Sequence, residues 1–159
     1  MKLRKAHKNE SQILTAISFS SKRFWNYPEE YFDIWKGELT ITPEYIGNNK
    51  VFVVERDSSP VAYYSIIHLA SDTKIADARL EKGFWLEHMF VLPEYIGKNI
   101  GTTMISHLIS FCKKDKVREI CVLADPHAKE FYIKMGFYFE RDYPSTIYGR
   151  TTPMLRLRL

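Results

Sequence analysis

The chain has 159 residues and a formal net charge of +4, from 23 basic and 19 acidic side chains. A chain of this length predicts one folded domain, residues 1–159, with enough core to need no disulfide or metal staple. The small basic excess and the lack of any block of like charge argue against nucleic acid as a partner. No apolar run approaches the ~20 residues of a membrane-spanning helix, so we expect no membrane partner either.

The start of the chain and its two cysteines indicate a cytoplasmic protein. The opening stretch MKLRKAHKNESQ is charged and lacks the apolar segment of a signal peptide. Cys112 and Cys121 form no CxxC pair and no histidine cluster lies near them, which predicts buried, reduced thiols and no metal site. The sequence does not fix the oligomeric state, and a homodimer stays open.

Hydrophobic periodicity and capping residues predict helices and strands along the whole chain. The first half predicts, in order, a strand at 2–7, a helix capped by Asn9 or Ser11 that ends near Ser20, a helix from Pro28 to about Leu39, a helical turn at 42–47, and an antiparallel hairpin of strands 50–55 and 61–70. The second half predicts a loop at 71–82, with an irregular strand there as the alternative, a strand at 84–92, and a helix whose buried face runs from Ile100 to Cys112. It then predicts a strand at 119–124, a helix at 128–135 closed by Gly136, a strand at 137–141, a loop at 143–153, and a strand at 154–159 whose arginines face solvent. The order β-α-α-β-β-β-α-β-α-β-β is that of a mixed α/β (α+β) domain.

A glycine-bearing turn joins the strand at 84–92 to the following helix, in the stretch WLEHMFVLPEYIGKNIGTT. Gly97 and Gly101 allow close backbone approach, two threonines add hydroxyl groups at the helix start, and Lys98 adds a mobile positive charge. The first N–H groups of a helix have no internal partner and the helix dipole is positive there, so the turn suits an anion. On the glycines alone, a simple packing turn is an equally good interpretation. The turn is neither a P-loop, because Asn99 follows the lysine, nor a G-x-G-x-x-G dinucleotide motif.

The turn resembles the acetyl-coenzyme A signature of the GNAT (Gcn5-related) N-acetyltransferase superfamily. The signature V-x-P-x-x-x-G-K-x-I-G is present at residues 91–101. A second family motif, N-x-x-A-x-x-F-Y-x-K-x-G-F, is similar to DPHAKEFYIKMGF at residues 125–137. The two motifs come in the family's order and separation, so the resemblance covers essentially the whole chain. It implies the single-domain GNAT fold, with a mixed, mostly antiparallel sheet and splayed central strands.

The resemblance also implies acetyl-coenzyme A as the acetyl donor, without a metal. Its pantetheine arm would lie between the strands at 86–92 and 119–124 and would pair with the backbone of the first of them. The family usually has Arg or Gln at the position of Ile96 and Gly or Ala at that of Asn99, although Asn tolerates left-handed backbone better than most residues. The implied cofactor contacts are Met89, Phe90, Val91, Ile96, Gly97, Lys98, Asn99, Ile100, Gly101, Thr102, Thr103, His127 and Tyr132.

The activity implied is transfer of the acetyl group to a primary amine by direct attack in a ternary complex. By resemblance, a backbone N–H of residues 89–91 would stabilise the oxyanion, and Tyr132 matches the tyrosine that gives its proton to the coenzyme A sulfur. Glu87 lies in an apolar strand and is a candidate general base if burial raises its pKa. His88 is the rival base and should face the opposite side of a regular strand. Both residues also have structural interpretations, as an ion pair and as a packed histidine.

The acceptor region in this family lies largely on the first two helices and nearby loops. Here those segments carry rings and cations, and the candidate acceptor contacts are Arg23, Trp25, Tyr27, Tyr31 and Arg150. One interpretation is a small-molecule amine that also bears a carboxylate or phosphate, paired by an arginine. Other interpretations are a protein or peptide amine as acceptor, or a non-catalytic module that binds acetyl-coenzyme A.

Overall fold

The computed structural model describes residues 1–75 and 78–159. Its α-helices are α1 (Ser11–Arg23), α2 (Glu29–Leu39), α3 (Pro43–Asn48), α4 (Ile100–Lys114) and α5 (Lys129–Lys134). Its strands are β1 (Lys2–Lys5), β2 (Lys50–Arg56), β3 (Ser59–Leu69), β4 (Thr73–Ile75), β5 (Ala78–Leu80), β6 (Gly83–Val91), β7 (Glu119–Leu123), β8 (Tyr138–Pro144) and β9 (Thr151–Arg158). This order confirms the predicted mixed α/β fold. Within the described ranges, no helix is both long and apolar enough to span a bilayer.

One compact unit consists of residues Met1–Ile66 and His88–Met104. Its strands β1, β2 and β3 pair antiparallel, with Lys2 opposite Glu55 and Val51 opposite Ser65. The predicted hairpin of β2 and β3 is therefore confirmed. The core of this unit consists of Leu14, Ile17, Ile41, Ile46, Val51, Val53 and Tyr63.

Helix α1 packs into this core through residues three apart. Leu14 and Ile17 are 0% and 1% exposed, and full burial of each such side chain stabilises the fold by about 1.5–3 kcal/mol. The predicted cap by Asn9 or Ser11 is wrong, because a single 3-10 turn at Lys8–Glu10 precedes the helix. The carboxylate of Glu10 instead accepts from the backbone N–H of His7 at 2.7 Å.

The next helices begin close to their predicted positions. Helix α1 runs three residues past Ser20, and α2 begins just after Pro28, which occupies the cap and not the first helical position. Thr42 caps α3, since its hydroxyl accepts from the backbone N–H of Tyr45 at 3.0 Å. The local capping chemistry thus positions α2 and α3 within a residue or so of prediction.

The second unit consists of residues Ile67–Glu87 and Ile105–Leu159. Strands β6 and β7 are parallel, with Trp85 opposite Cys121 and Leu86 opposite Val122. Strand β9 lies antiparallel between β7 and β8, so the sheet is mostly antiparallel as predicted. The core on one face of this sheet consists of Ala78, Leu80, Trp85, Cys121, Tyr143 and Met154.

Part of the segment predicted as a loop at 71–82 forms the small antiparallel pair β4 and β5. Residues 76 and 77 of that prediction lie outside the described residues. The loop predicted at 143–153 was too long, because β8 extends to Pro144 and β9 starts at Thr151. These two residues pair with each other, and Pro is tolerated there because β8 is the last strand of its sheet.

The prediction that both arginines of β9 face solvent is half wrong. Arg158 is exposed, but Arg156 is only 9% exposed. Its guanidinium donates to three carboxylates: Nε to Glu140 at 2.6 Å, Nη1 to Glu119 at 2.6 Å, and Nη2 to Glu81 at 3.1 Å. Met154, on the same face of β9, is 0% exposed, so most of the face predicted to meet solvent is buried, with acids from elsewhere in the unit around Arg156.

The predicted state of the cysteines is confirmed. Cys112 and Cys121 are both free thiols and both are buried. Burial raises the pKa of each thiol to about 11, so both are protonated near neutral pH.

Candidate functional site

The turn before α4 has the backbone of an anion-binding loop. Gly97 has φ of +79° and Asn99 has φ of +61°, with Lys98 between them. An added Cβ at Gly97 would meet no atom within 4 Å, so backbone conformation and not space is what requires glycine there. The expectation that Asn99 accommodates a left-handed backbone is confirmed, and Ile96 is extended, with φ of −64° and ψ of 140°.

Helix α4 begins immediately after this turn. The carbonyl of Asn99 accepts from both the backbone N–H and the hydroxyl of Thr103, each at 3.0 Å. The hydroxyl of Thr103 is therefore used to close the first helical turn, whereas the side chain of Thr102 is exposed. The first N–H groups of α4, from Ile100 onward, have no carbonyl partner within the helix by its geometry. The turn exposes residues 96–99, so these N–H groups and the positive end of the dipole lie beside an accessible loop.

Two cations lie over the ring of Tyr95, next to the turn. The ammonium of Lys98 is 5.3 Å from the ring centre, and the guanidinium carbon of Arg56 is 5.7 Å from it. Sequence reasoning missed Arg56, which ends β2 far from the signature and has no motif of its own. Its position beside the loop gives this unit a second exposed positive charge there.

The strand that precedes the turn is only partly covered. Met89, Phe90 and Val91 are each half-buried, and the ring of Phe90 packs against Tyr63 at a centroid distance of 5.9 Å. Leu92, just after the strand, donates its N–H to the carbonyl of Val61 at 2.9 Å. These contacts fix the end of β6 against β3 within the first unit.

His88 is a buried residue with hydrogen bonds at both ring nitrogens. Its Nε2 lies 2.8 Å from the carbonyl oxygen of Glu38, which can only accept, so Nε2 carries a hydrogen. In the neutral ring, Nδ1 then accepts from the hydroxyl of Ser65 at 2.9 Å or of Tyr45 at 3.0 Å. Those two hydroxyls are themselves 2.8 Å apart. To act as a base, the His88 ring would have to break these hydrogen bonds. The role of His88 as rival base stays a prediction.

Glu87, the first candidate base, has the opposite environment. Its side chain is exposed, whereas that of His88 is 8% exposed, as expected for neighbours on a regular strand. The role of Glu87 as a base was predicted on the condition that its carboxylate is buried. The protein leaves this side chain exposed, so bound ligands would have to bury it.

Tyr132 lies in the second unit, buried on the short helix α5. It is 5% exposed and makes edge-on ring contacts with Phe131 at 5.4 Å and Phe137 at 5.3 Å. Burial, with a smaller contribution from the charge of Asp125, holds the pKa of its phenol well above the usual value. The phenol is therefore neutral and retains its hydrogen throughout the physiological pH range.

His127, in the same unit, is oriented by Asp125. Asp125 Oδ1 accepts from the backbone N–H of His127 at 3.0 Å and from its ring Nδ1 at 2.9 Å. A hydrogen on Nδ1 makes Nε2 the acceptor in the neutral ring. This tautomer decides which ligand groups His127 can bind.

The candidate acceptor residues of the first unit form a ring-rich group. Tyr27 and Tyr31 are half-buried, and Trp25 is 36% exposed and edge-on to Phe24. Arg23 already donates to Glu29 at 2.9 Å, in an exposed pair of the kind that contributes little to stability.

Arg150 lies in the second unit and closes the loop at 145–150. Its carbonyl accepts from the N–H of Ser145 at 2.9 Å, and its own N–H donates to Ile147 at 3.1 Å. The first unit thus contains the turn, the end of β6 and four of the acceptor candidates, and the second contains His127, Tyr132 and Arg150.

Comparison with known families agrees with this geometry. A family model described as an acetyltransferase (GNAT) domain matches residues 47–138, more than half of the chain. The fold and the turn thus define an acyltransferase that uses acetyl-coenzyme A. The chain belongs to the GNAT acetyltransferase family. No curated protein matched the chain.

Solved structures share the fold at low sequence identity. A GCN5-related N-acetyltransferase from Rhodopseudomonas palustris is 20% identical, with a TM-score of 0.74 over 99% of this chain and 95% of its own. The PaiA N-acetyltransferase of Thermoplasma acidophilum, solved with coenzyme A, is 19% identical, with a TM-score of 0.75 over 99% and 98%. N-acetylglutamate synthase from Neisseria gonorrhoeae, solved with coenzyme A and N-acetyl-glutamate, is 16% identical, with a TM-score of 0.67 over 99% of this chain and 35% of its own.

Proposed function

We propose that residues 1–159 act as one domain that transfers an acetyl group from acetyl-coenzyme A to a primary amine of a small molecule. The observation that carries the proposal is the turn at Gly97–Asn99, whose two positive φ angles present it at the start of α4. The proposal places the pyrophosphate there, against the first N–H groups of the helix and beside Lys98. Each such anion contact is worth about 0.3–1 kcal/mol when exposed.

The pantetheine arm would follow the half-buried end of β6, pairing with backbone groups of Met89–Val91. The tautomer of His127 makes its Nε2 an acceptor, which suits an amide N–H of the arm.

In the reaction, the amine nitrogen attacks the thioester carbonyl, and a C–N bond forms as the C–S bond breaks. A backbone N–H of residues 89–91 would stabilise the oxyanion, a contribution typically worth 10²- to 10³-fold in rate. The amine's proton passes to a base, and the departing sulfur receives a proton from the phenol of Tyr132, which solvent then restores. Because the raised pKa keeps the phenol of Tyr132 neutral, that side chain supplies a hydrogen bond to the sulfur as negative charge develops there.

Glu87 is the base that we propose, acting directly or through water. Its carboxylate is exposed to solvent, whereas the buried ring of His88 is hydrogen-bonded to Ser65 or Tyr45 and to Glu38. A cytoplasmic location belongs to the same proposal, and the two free, buried cysteines support it.

Cofactor binding can be tested with two matched glycine variants. Gly97 and Gly149 have φ of +79° and +78°, and an added Cβ would meet nothing within 4 Å at either position. Both substitutions by Ala thus impose the same backbone penalty of about 1–2 kcal/mol. We expect Gly97→Ala to weaken acetyl-coenzyme A binding about 5- to 30-fold by calorimetry, and Gly149→Ala to leave it unchanged. Equal losses, or no binding by the unaltered protein at high micromolar cofactor, would refute the site.

Turnover is tested by thiol release with a panel of amines. We expect small primary amines to support release, and both Tyr132→Phe and Glu87→Gln to lower kcat. If both variants matched the unaltered protein, the assigned roles would be wrong. Release with peptide amines alone would indicate a protein acceptor, and binding without release for any amine would indicate a coenzyme A-binding module.

A further inference from the structure

Three aromatic side chains of the first unit form the walls of a box. The rings of Tyr27 and Trp35 meet at 82° with centroids 5.0 Å apart, and those of Tyr31 and Trp35 meet at 74° and 5.5 Å. Tyr27 and Tyr31 lie 6.2 Å apart at 35°. Both tyrosines are thus steeply inclined to the tryptophan and in edge contact with it, and the Tyr27 and Trp35 rings form a corner with a space in front of it.

That space contains a cation that belongs to the chain. The ammonium of Lys22 lies 4.4 Å from the centre of the Trp35 ring and 5.4 Å from that of Tyr27. Ring faces attract cations within about 6 Å, and the attraction is strongest for tryptophan. Trp35 is 3% exposed with Lys22 in place, while Lys22 itself is half-buried and reaches solvent. The lysine is therefore the part of this arrangement that a ligand could replace.

The surrounding charges favour a cation over an anion. Helix α2, which carries Tyr31 and Trp35, has four acidic residues and one lysine. The nearest arginine, Arg23, is paired with Glu29 and lies 4.6 Å from the face of Phe32. An anionic ligand would meet these carboxylates, whereas a cationic one would be attracted by them.

We propose that this aromatic box, formed by Tyr27, Tyr31 and Trp35, is a binding site for an alkylammonium group, and that Lys22 occupies it in the absence of ligand. A ligand ammonium enters as the lysine side chain leaves, so the ring contacts are exchanged and not newly made. This proposal differs from the expectation of an acceptor that bears a carboxylate or phosphate at this end. As an acceptor-side site it rests on the proposed function, and the cation held in the box is a nitrogen other than the one acetylated, because the reacting amine must be neutral to attack.

The test uses tetramethylammonium as the probe, without coenzyme A, so its result is independent of acetyl transfer. Binding is followed by the shift of the Trp35 indole N–H in NMR titrations at constant ionic strength. Removing the internal competitor with Lys22→Ala should tighten probe binding by about 2- to 30-fold, the range that corresponds to a cation–ring contact. Lys36→Ala removes the same charge from exposed α2 and should change affinity less than 2-fold.

A neutral probe of similar shape, tert-butanol, separates ring–cation attraction from apolar filling. We expect Lys22→Ala to gain little for tert-butanol, and the further change Tyr27→Leu to abolish the gain for tetramethylammonium. Equal gains for both probes, or equal affinities in Lys22→Ala and Lys36→Ala, would show that Lys22 only packs against the rings. If Lys22→Ala fails to fold, Lys22→Gln, which keeps most of the side-chain length without the charge, decides the same question.

Discussion

The two units of this protein each bury a polar side chain, and they do so in different ways. In the first, His88 is held by the carbonyl of Glu38 and by the hydroxyls of Ser65 and Tyr45. In the second, Arg156 is held by carboxylates, from Glu81, Glu119 and Glu140. The partners of His88 are neutral hydrogen-bonding groups, whereas the partners of Arg156 are ionised carboxylates.

Because of this difference, different changes should destabilise the networks around His88 and Arg156. A neutral network loses stability when a partner is removed and a donor or acceptor is left unpaired. A charged network also loses stability when its acids are protonated, so it makes folding depend on pH. Removing groups from each centre in turn is therefore a test of the comparison.

The largest effect is expected for Arg156→Met. Loss of the guanidinium leaves three carboxylates facing one another, and breaking such a pair costs about 3–5 kcal/mol when fully buried. Because the side chains of Glu81 and Glu119 are 43% and 49% exposed, we expect about 2–4 kcal/mol less unfolding free energy in urea at pH 7. Arg158→Met, an exposed neighbour on β9, should cost under about 0.5 kcal/mol, and a similar cost for both would contradict the charged centre.

A smaller effect is expected for His88→Leu. The change leaves the fully buried hydroxyl of Ser65 without its ring partner and removes the donor to Glu38, which should cost about 1–3 kcal/mol in the same measurement. Combining His88→Leu with Ser65→Ala should cost less than the sum of the single changes. Strict additivity would mean that the two residues do not act as one network.

The fall of the unfolding free energy at acid pH should depend on Glu140. Its hydrogen bond from Arg156 holds the pKa of the carboxyl below the usual value in the folded protein. The stabilisation is therefore fully present above the unfolded pKa of about 4.3 and is lost as pH falls through the lower folded value. Glu140→Gln should make the decline of unfolding free energy below pH ~4 shallower. Glu130→Gln, at an exposed site on α5, should keep the full slope, and an unchanged slope in Glu140→Gln would contradict the coupling.

The smallest effect concerns the thiols. Cys121 lies directly opposite Arg156 on the paired strand, whereas Cys112 lies on α4. With pKa values of about 11 and full burial, both should react slowly with a thiol reagent at pH 8 and rapidly once unfolded. Arg156→Met should accelerate the labelling of Cys121 more than that of Cys112. Equal acceleration would indicate global opening and not a local change beside the charged centre.

The sequence predicted well whatever depends on neighbours in the chain. The helical turn predicted at 42–47 forms α3, Asn99 takes a positive φ, and the predicted buried face of α4 is buried at Ile100 and Cys112. Each of these is a local property of capping, backbone freedom or periodicity.

The sequence predicted poorly whatever depends on distant partners. Arg156 was taken for a solvent-facing residue because alternation says which face a side chain occupies, but not which acids reach that face. The contact of Arg56 with Tyr95 joins β2 to the turn, and the extension of β8 and β9 comes from their mutual pairing. The aromatic box likewise required the relative placement of α1 and α2, since Lys22 lies on α1 whereas Tyr31 and Trp35 lie on α2.

Strand β8 also has a consequence for behaviour in concentrated solution. It ends its sheet, so its outer N–H and C=O groups form a template that another chain could extend. Consecutive charges at Glu140, Arg141 and Asp142, followed by Pro144, make that template a poor one. The ammonium of Lys129 lies 4.0 Å from the ring of Phe139 and shields its apolar face. The strand is thereby guarded against edge-to-edge aggregation by residues that serve neither the cofactor turn nor the aromatic box.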